Sequence, residues 1–253
     1  MATDAALAAL ENPDPVYQAK LDLLAALRWA EREGLSEGIC NHFSVLVPGS
    51  TDHFLLNPQG LHWSELRISD LLIVDAEGNL VEGKHAAEPT AFFIHSRIHR
   101  SKPSAKCVMH THMPYATALC CSERGRLEWC SQNSLRYYGR IGYDDCYNGL
   151  ALDEAEGDRM GQLMADYDIL FLANHGVVVT AENVALAFDD LYYLERACMI
   201  QVLAESRGKP LKLIPDELCE QTHRQIVEEI DQSYLHMDAI KRILLARHPE
   251  MLQ

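Results

Sequence analysis

The sequence predicts an α/β protein, a three-layer α/β/α sandwich with helices covering both faces of a mixed, largely antiparallel sheet. Paired extended runs joined by turn residues fill the first half, and the later half alternates helical with extended patterns. A hydrophobic content of 48 % over 253 residues supplies enough apolar surface for one large core, and nothing asks for a second domain.

Taken in order, residues 1–16 hold Ala, Asn and Pro without a sustained pattern and are expected to form a flexible arm, although Ala5 to Leu10 suit a short helix. Leu21, Leu23, Leu24, Leu27 and Ala30 recur at helical spacing, and Gly34 stops that helix. The runs 43–47 and 53–56 flank Pro48-Gly49-Ser50-Thr51-Asp52, which is turn chemistry, so they form a hairpin. By the same logic 71–74 and 80–81 pair across Asp75-Ala76-Glu77-Gly78-Asn79. A helix over 89–100, a strand ending at His110, a helix over 114–120, a helical region over 150–165, a strand before His175 and a helix over 183–207 follow. Leu186, Phe188, Leu191, Leu194, Ala197 and Cys198 give the last helix a broad apolar face. Gly208-Lys209-Pro210 then breaks the chain. Ile226, Ile230, Leu235, Ile240 and Leu244 return at helical spacing, so 17–207 is the main domain and 208–253 a helical C-terminal extension too short to build its own core.

A net charge of −15 argues against nucleic acid, whose phosphates demand clustered Lys and Arg, and against docking on anionic membranes. No apolar run approaches the roughly 18 residues of a membrane span, and the N-terminus lacks a basic region followed by an apolar one. The eight cysteines are scattered without Cys-x-x-Cys spacing, several in apolar runs (Cys107, Cys120, Cys121, Cys198), and are expected to be buried free thiols. Together these place the protein in a reducing, cytoplasmic compartment.

Chemistry concentrates in His110-Thr111-His112, which closes the apolar run Cys107-Val108-Met109, and in Asn174-His175-Gly176 after a second apolar run. Alternate residues of a strand share a face, so His110 and His112 can grip one ion, and His175 can converge on them. Three neutral nitrogens suit zinc and leave a coordination position free. Two solvent-facing histidines at a strand end would read the same way.

Read together, Gly38-Ile39-Cys40-Asn41-His42-Phe43-Ser44-Val45, Asn57-Pro58-Gln59-Gly60, Glu88, His110-Thr111-His112 and Asn174-His175-Gly176 resemble the class II aldolase/adducin family, over roughly residues 15 to 205. The resemblance implies the same sandwich and one divalent ion per chain, zinc first with Mn2+, Co2+ or Fe2+ as alternatives. It implies His110, His112 and His175 as ligands, with Glu88 at the metal and acting as acid/base. It further implies a small-molecule substrate and a homo-oligomer, a tetramer, with sites at subunit boundaries. Standing before Pro89, Glu88 also reads as an ordinary carboxylate at a helix N-terminus. Asn41, Ser44 and Gly60 match the family's substrate-binding loop and turn, where they can hold an anion or simply satisfy the turn backbone. His85, near Glu88, is a candidate for the substrate mouth.

The resemblance implies a lyase whose metal stabilises an enediolate, by retro-aldol cleavage or decarboxylation of a hydroxy/keto carbonyl compound. Sugar-phosphate members carry two serines before the glutamate that help hold the phosphate, whereas Ala86-Ala87 stand here, so a non-phosphorylated substrate is expected. Their proton-donating tyrosine has no counterpart in Ser131-Gln132-Asn133-Ser134, and Tyr137 and Tyr138 read as packing residues. A non-heme iron oxygenase and a non-catalytic adducin-like interaction module are the alternatives. His42, His62, His95 and His99 are spare imidazoles, and the last two, interleaved with Arg97 and Arg100, are expected on a solvated or interface face.

Overall fold

The computed structural model describes residues 8–150 and 154–253, and the side chains of all of these except residues 89–93 and 154. Strands β1 (His42–Leu46), β2 (His53–Leu56), β3 (Leu72–Asp75), β4 (Leu80–Glu82), β5 (Cys107–Thr111), β6 (Ile141–Asp144), β7 (Ile169–Leu172) and β8 (Gly176–Ala181) form one sheet. Its order is β4-β3-β2-β1-β5-β8-β7-β6. Only β6 and β7 run parallel; the other neighbours are antiparallel. Both expected hairpins are present, with Val45 opposite Leu55 and Val74 opposite Leu80.

Strands β6 and β8 go beyond the sequence expectation. β8 directly follows the histidine turn, and its Val177-Val178-Val179 run is buried on both faces, which removes the alternation that marks a half-exposed strand. β6 is a four-residue edge strand whose pairing with β7 is non-local.

The pleat sorts the core into two layers. Val108, Leu170, Leu172 and Val178 pack under α2 (Pro89–Ser101) and α5 (Glu154–Met164) through Ile94, Ile98, Met160 and Met164. Cys107, Met109, Ile169, Phe171, Val177 and Val179 join the larger cluster on the other face. That face is covered by α1 (Pro15–Arg32), α3 (Pro114–Cys120), α6 (Val184–Glu205) and α8 (Asp231–Arg247). Asp14 caps α1 by accepting from Val16 N at 2.9 Å, Pro15 opens it, and Gly34 at φ +71° follows its end.

The short α4 (Gln132–Leu135) leads to Tyr137, which is fully buried and donates its hydroxyl to Asp190 O at 2.7 Å, while Tyr138 meets Trp129 edge-on. Both tyrosines therefore pack rather than face a site. The spacing after Gly208 resolves into two helices, α7 (Asp216–Glu228) and α8. Ile240 and Leu244 enter the main core, whereas Ile230 and Leu235 are exposed. At the other end Ala9 is buried, and Gln18 donates its side-chain amide to Ala9 O and Asn12 O. Of the short helix expected over 5–10, residues 8–10 are helical and the rest lies outside the described residues. The helical region expected over 150–165 likewise begins at Glu154, with 151–153 outside them.

Cys107, Cys120, Cys198 and Cys219 are buried free thiols as expected, but Cys130 is half-buried and Cys40, Cys121 and Cys146 are exposed, Cys121 at the C-terminal cap of α3. Among the described residues no helix is long and apolar enough to cross a membrane.

Candidate metal centre

Register brings the three histidines together. His110 lies near the end of β5, His112 one residue past it, and Thr111 pairs with Val177, so the turn entering β8 sits beside the end of β5. That turn is sharp: Asn174 takes the left-handed conformation at φ +56°, which asparagine tolerates better than most residues, and its N–H donates to Cys120 O at 3.0 Å. The ring centroids of His110, His112 and His175 stand 4.7–4.9 Å apart, and one nitrogen from each lies within 4.8 Å of the others. Gly176 is required by close approach, since a Cβ there would lie 2.5 Å from Thr111 O and 2.9 Å from the His112 ring.

Tautomers follow from the partners. A carbonyl can only accept, so the 3.0 Å contact to Val177 O puts the proton of His110 on Nδ1. Glu37 Oε2, 2.6 Å from His112 Nδ1, does the same for His112. Both Nε2 atoms are then lone-pair acceptors, yet they face each other at 3.0 Å. Two such lone pairs repel unless a cation lies between them. Zinc–nitrogen bonds of about 2.0–2.1 Å in tetrahedral geometry set nitrogens roughly 3.3 Å apart, close to this separation. The residues therefore fit a divalent ion. Burial holds His110 well below the usual imidazole range and, with His112 nearby, His175 down to about 4, so both offer the neutral ligand form at neutral pH.

Glu88 stands at the entrance to α2, its Oε2 3.9 Å from His42 Nε2, and the His42 ring lies 4.9 Å from that of His110. The segment before it is tied down by Gln59, whose N–H donates to Ala86 O at 2.9 Å from the turn that Gly60 closes at φ +85°. Gly60 therefore lies in the turn whose backbone holds the segment before Glu88. Asn41 is buried; its Oδ1 accepts from Glu37 N at 2.7 Å and so places the residue that orients His112. Its Nδ2 has no partner among the described residues, so both of its N–H donors stand buried without an acceptor.

Two expectations need correction. Ser44 does not reach toward a substrate: it is 1 % exposed, and its hydroxyl contacts His95 Nδ1 at 2.6 Å and His99 Nε2 at 2.9 Å. Nor do His95 and His99 face solvent or an interface. They turn inward from α2 onto β1, because residues four apart share a helix face and the imidazoles satisfy one another and Ser44. His85 is half-exposed and stands 3.4 Å from Asp70 Oδ1, the partner the structure shows for it.

Sequence reasoning missed Glu37 and Asn57. Glu37 is one of 37 acidic residues, and only folding distinguishes it. Asn57 accepts from Phe43 N and donates to Asn41 O, joining the two loops; its place in the Asn57-Pro58-Gln59-Gly60 turn was the available signal.

Comparison with known proteins gives the family of the chain. A Pseudomonas aeruginosa protein provisionally named as a class 2 aldolase is 35 % identical over 203 residues, covering 80 % of this chain and 77 % of that one. Decarboxylase NovR of Streptomyces niveus is 29 % identical over 228 residues, covering 89 % and 83 %. The crystal structure of an aldolase II superfamily protein from Pseudomonas syringae superposes with a TM-score of 0.84 at 29 % identity, over 93 % of this chain and 97 % of that one. Residues 21–202 match the Class II Aldolase and Adducin N-terminal domain, and the chain belongs to that family.

Proposed function

We propose that the protein is a metal-dependent lyase that cleaves a carbon–carbon bond in a small, non-phosphorylated hydroxy- or keto-carbonyl compound, by retro-aldol or decarboxylative chemistry. The observation that carries this is the pair of oriented Nε2 lone pairs of His110 and His112, 3.0 Å apart beside His175. A divalent ion held there, zinc first with Mn2+, Co2+ or Fe2+ as alternatives, supplies Lewis-acid polarisation of a carbonyl oxygen. In retro-aldol cleavage Glu88 takes the proton of the substrate hydroxyl and delivers it to the carbon left with the electron pair; in decarboxylation it delivers a proton, replenished from solvent, to the carbon that loses carbon dioxide. Glu37 and the Val177 carbonyl keep the two ligand tautomers, and Asn41 offers its buried Nδ2 to the bound molecule.

Ala86 and Ala87 carry no hydroxyl to meet a phosphate, and each hydrogen bond to a charged group omitted this way is worth about 1.5–3 kcal/mol. The named decarboxylase among the relatives supports the decarboxylative branch. A purely adducin-like interaction role would give no reason for two imidazoles to be locked with lone pairs facing. The proposal includes a cytoplasmic homo-tetramer, for which exposed Leu218, Val227 and Leu235 of the 208–253 extension offer apolar surface beside the 17–207 domain.

Elemental analysis should find one ion per chain, lost in the His110→Ala/His112→Ala double variant. Matched phosphorylated and non-phosphorylated hydroxy-keto acids should show turnover of the latter, abolished in Glu88→Gln. Stoichiometric metal in the double variant, preference for the phosphate ester, or full activity in Glu88→Gln would each overturn the corresponding part. Light scattering showing a monomer at micromolar concentration would remove the tetramer.

A further inference from the structure

A chain of polar side chains runs inward from the metal centre beneath α2. His42 Nδ1 lies 2.7 Å from His95 Nε2, His95 Nδ1 lies 2.6 Å from Ser44 Oγ, Ser44 Oγ lies 2.9 Å from His99 Nε2, and His99 Nδ1 lies 2.6 Å from Ala105 O. His42, Ser44 and His95 are each at most 3 % exposed. Burying four polar side chains in one row is costly unless every donor meets an acceptor, so the row has one consistent direction.

The direction is set at the far end. Ala105 O can only accept, so His99 carries its proton on Nδ1 and presents a lone pair at Nε2. Ser44 has one hydroxyl proton, and it goes to that lone pair. Ser44 Oγ must then accept from His95, which puts the His95 proton on Nδ1 and a lone pair on Nε2. His42 in turn donates from Nδ1 to His95. The last free position is His42 Nε2, left as a lone pair facing Glu88 Oε2 at 3.9 Å.

We infer that His42 is a positioning residue for Glu88, held by the His95–Ser44–His99–Ala105 row in the tautomer whose Nε2 accepts a hydrogen bond from the Glu88 carboxyl. This rests on Glu88 moving a proton, as proposed above. When a substrate bond to hydrogen breaks, the electron pair stays with the substrate and the proton bonds to Glu88 Oε2. That O–H then donates to His42 Nε2, the separation shortens to hydrogen-bond length, and the carboxyl is held in the orientation from which the proton returns. His42 gains no proton. The row ends on a carbonyl, so it orients without exporting the proton to solvent. The opposite tautomer would instead donate to the carboxylate and favour the ionised form, the wrong bias for a group that must carry a proton.

The test reads the tautomer directly and needs no substrate. Nitrogen-15 NMR of the full-length, histidine-labelled protein should show His42 protonated on Nδ1. Ser44→Ala, which breaks the row in the middle, should give a mixture or the Nε2-protonated form, and Ser44→Thr, which restores the hydroxyl, should return the wild-type tautomer. An Nε2-protonated His42 in wild type, or an unchanged tautomer in Ser44→Ala, overturns the inference. The second readout is solvent-deuterium exchange into dihydroxyacetone by zinc-loaded protein. Ser44→Ala should slow it at least tenfold at saturating probe, with KM and zinc content unchanged and with rescue by Ser44→Thr. Exchange that stays at the wild-type rate while the tautomer changes overturns the link to Glu88. Absence of exchange in wild type counts against the proposed proton chemistry, and the tautomer measurement still decides the row.

Discussion

Glu37 Oε2 lies 2.6 Å from His112 Nδ1 and thereby decides which nitrogen of His112 faces His110 and His175. A carboxylate behind a ligand imidazole fixes the tautomer and raises ligand basicity, and removing such a partner typically costs 10- to 100-fold in metal affinity. Because Glu37 is 65 % exposed at its side chain, the lower end applies. Glu37→Ala should weaken zinc binding about tenfold in a chelator competition, while the melting temperature of the metal-free protein stays near wild type. Unchanged affinity would show that Val177 and the fold orient the site alone.

Gly176→Ala should be damaging at both fold and site. The added methyl would stand 2.5 Å from Thr111 O, a backbone atom between His110 and His112, and 2.9 Å from the His112 ring. Overpacking of this kind costs roughly 1–3 kcal/mol. Thermal denaturation should report the loss, and metal titration should show weaker binding because Thr111 and His112 must move. A variant with wild-type stability and affinity would mean the strand pair relaxes freely.

Acid should destabilise the protein through its buried imidazoles. Burial lowers His99 from the usual value near 6.5 to about 4. Between those pH values the unfolded chain binds the proton and the folded chain does not, so stability falls as pH drops through that window. The slope is at most about 1.4 kcal/mol per pH unit for this residue. Urea midpoints at pH 7, 6 and 5 should fall steadily in wild type and less steeply in His99→Gln. Parallel slopes would remove His99 from the account.

Asp190→Ala should cost roughly 3 kcal/mol. Asp190 is 9 % exposed and binds Arg140 at 2.6 Å, and Arg140 also binds Asp168 at 2.8 Å, so the pair ties α6 to the loops that begin β6 and β7. Breaking a buried pair on one side leaves an uncompensated charge, typically a loss of 3–5 kcal/mol, and partial exposure of Arg140 sets the lower end. A denaturant melt reads this, and a loss below about 1 kcal/mol would show that Asp168 and solvent suffice for Arg140.

Local pattern was enough for the hairpins at 43–56 and 71–81, for the helical run of α1 with its Gly34 stop, and for the helix-strand alternation. Each depends on contacts within a few residues, which spacing and turn chemistry report directly. The Asp14 cap, within the expected arm, emerged only from the structure. The grouping of His110, His112 and His175 was legible too, because strand alternation relates His110 to His112 and the turn before β8 repeats the motif. Tertiary structure decided the rest. The β5–β8 register set His175 beside the other two, and loop packing brought Glu37 from 75 residues away to His112. The inward turn of α2 converted Ser44, His95 and His99 from apparent surface or substrate groups into a buried row. Those relations join residues far apart in sequence, and the requirement that every buried donor find an acceptor, which selects among them, exists only once the chain has closed around them.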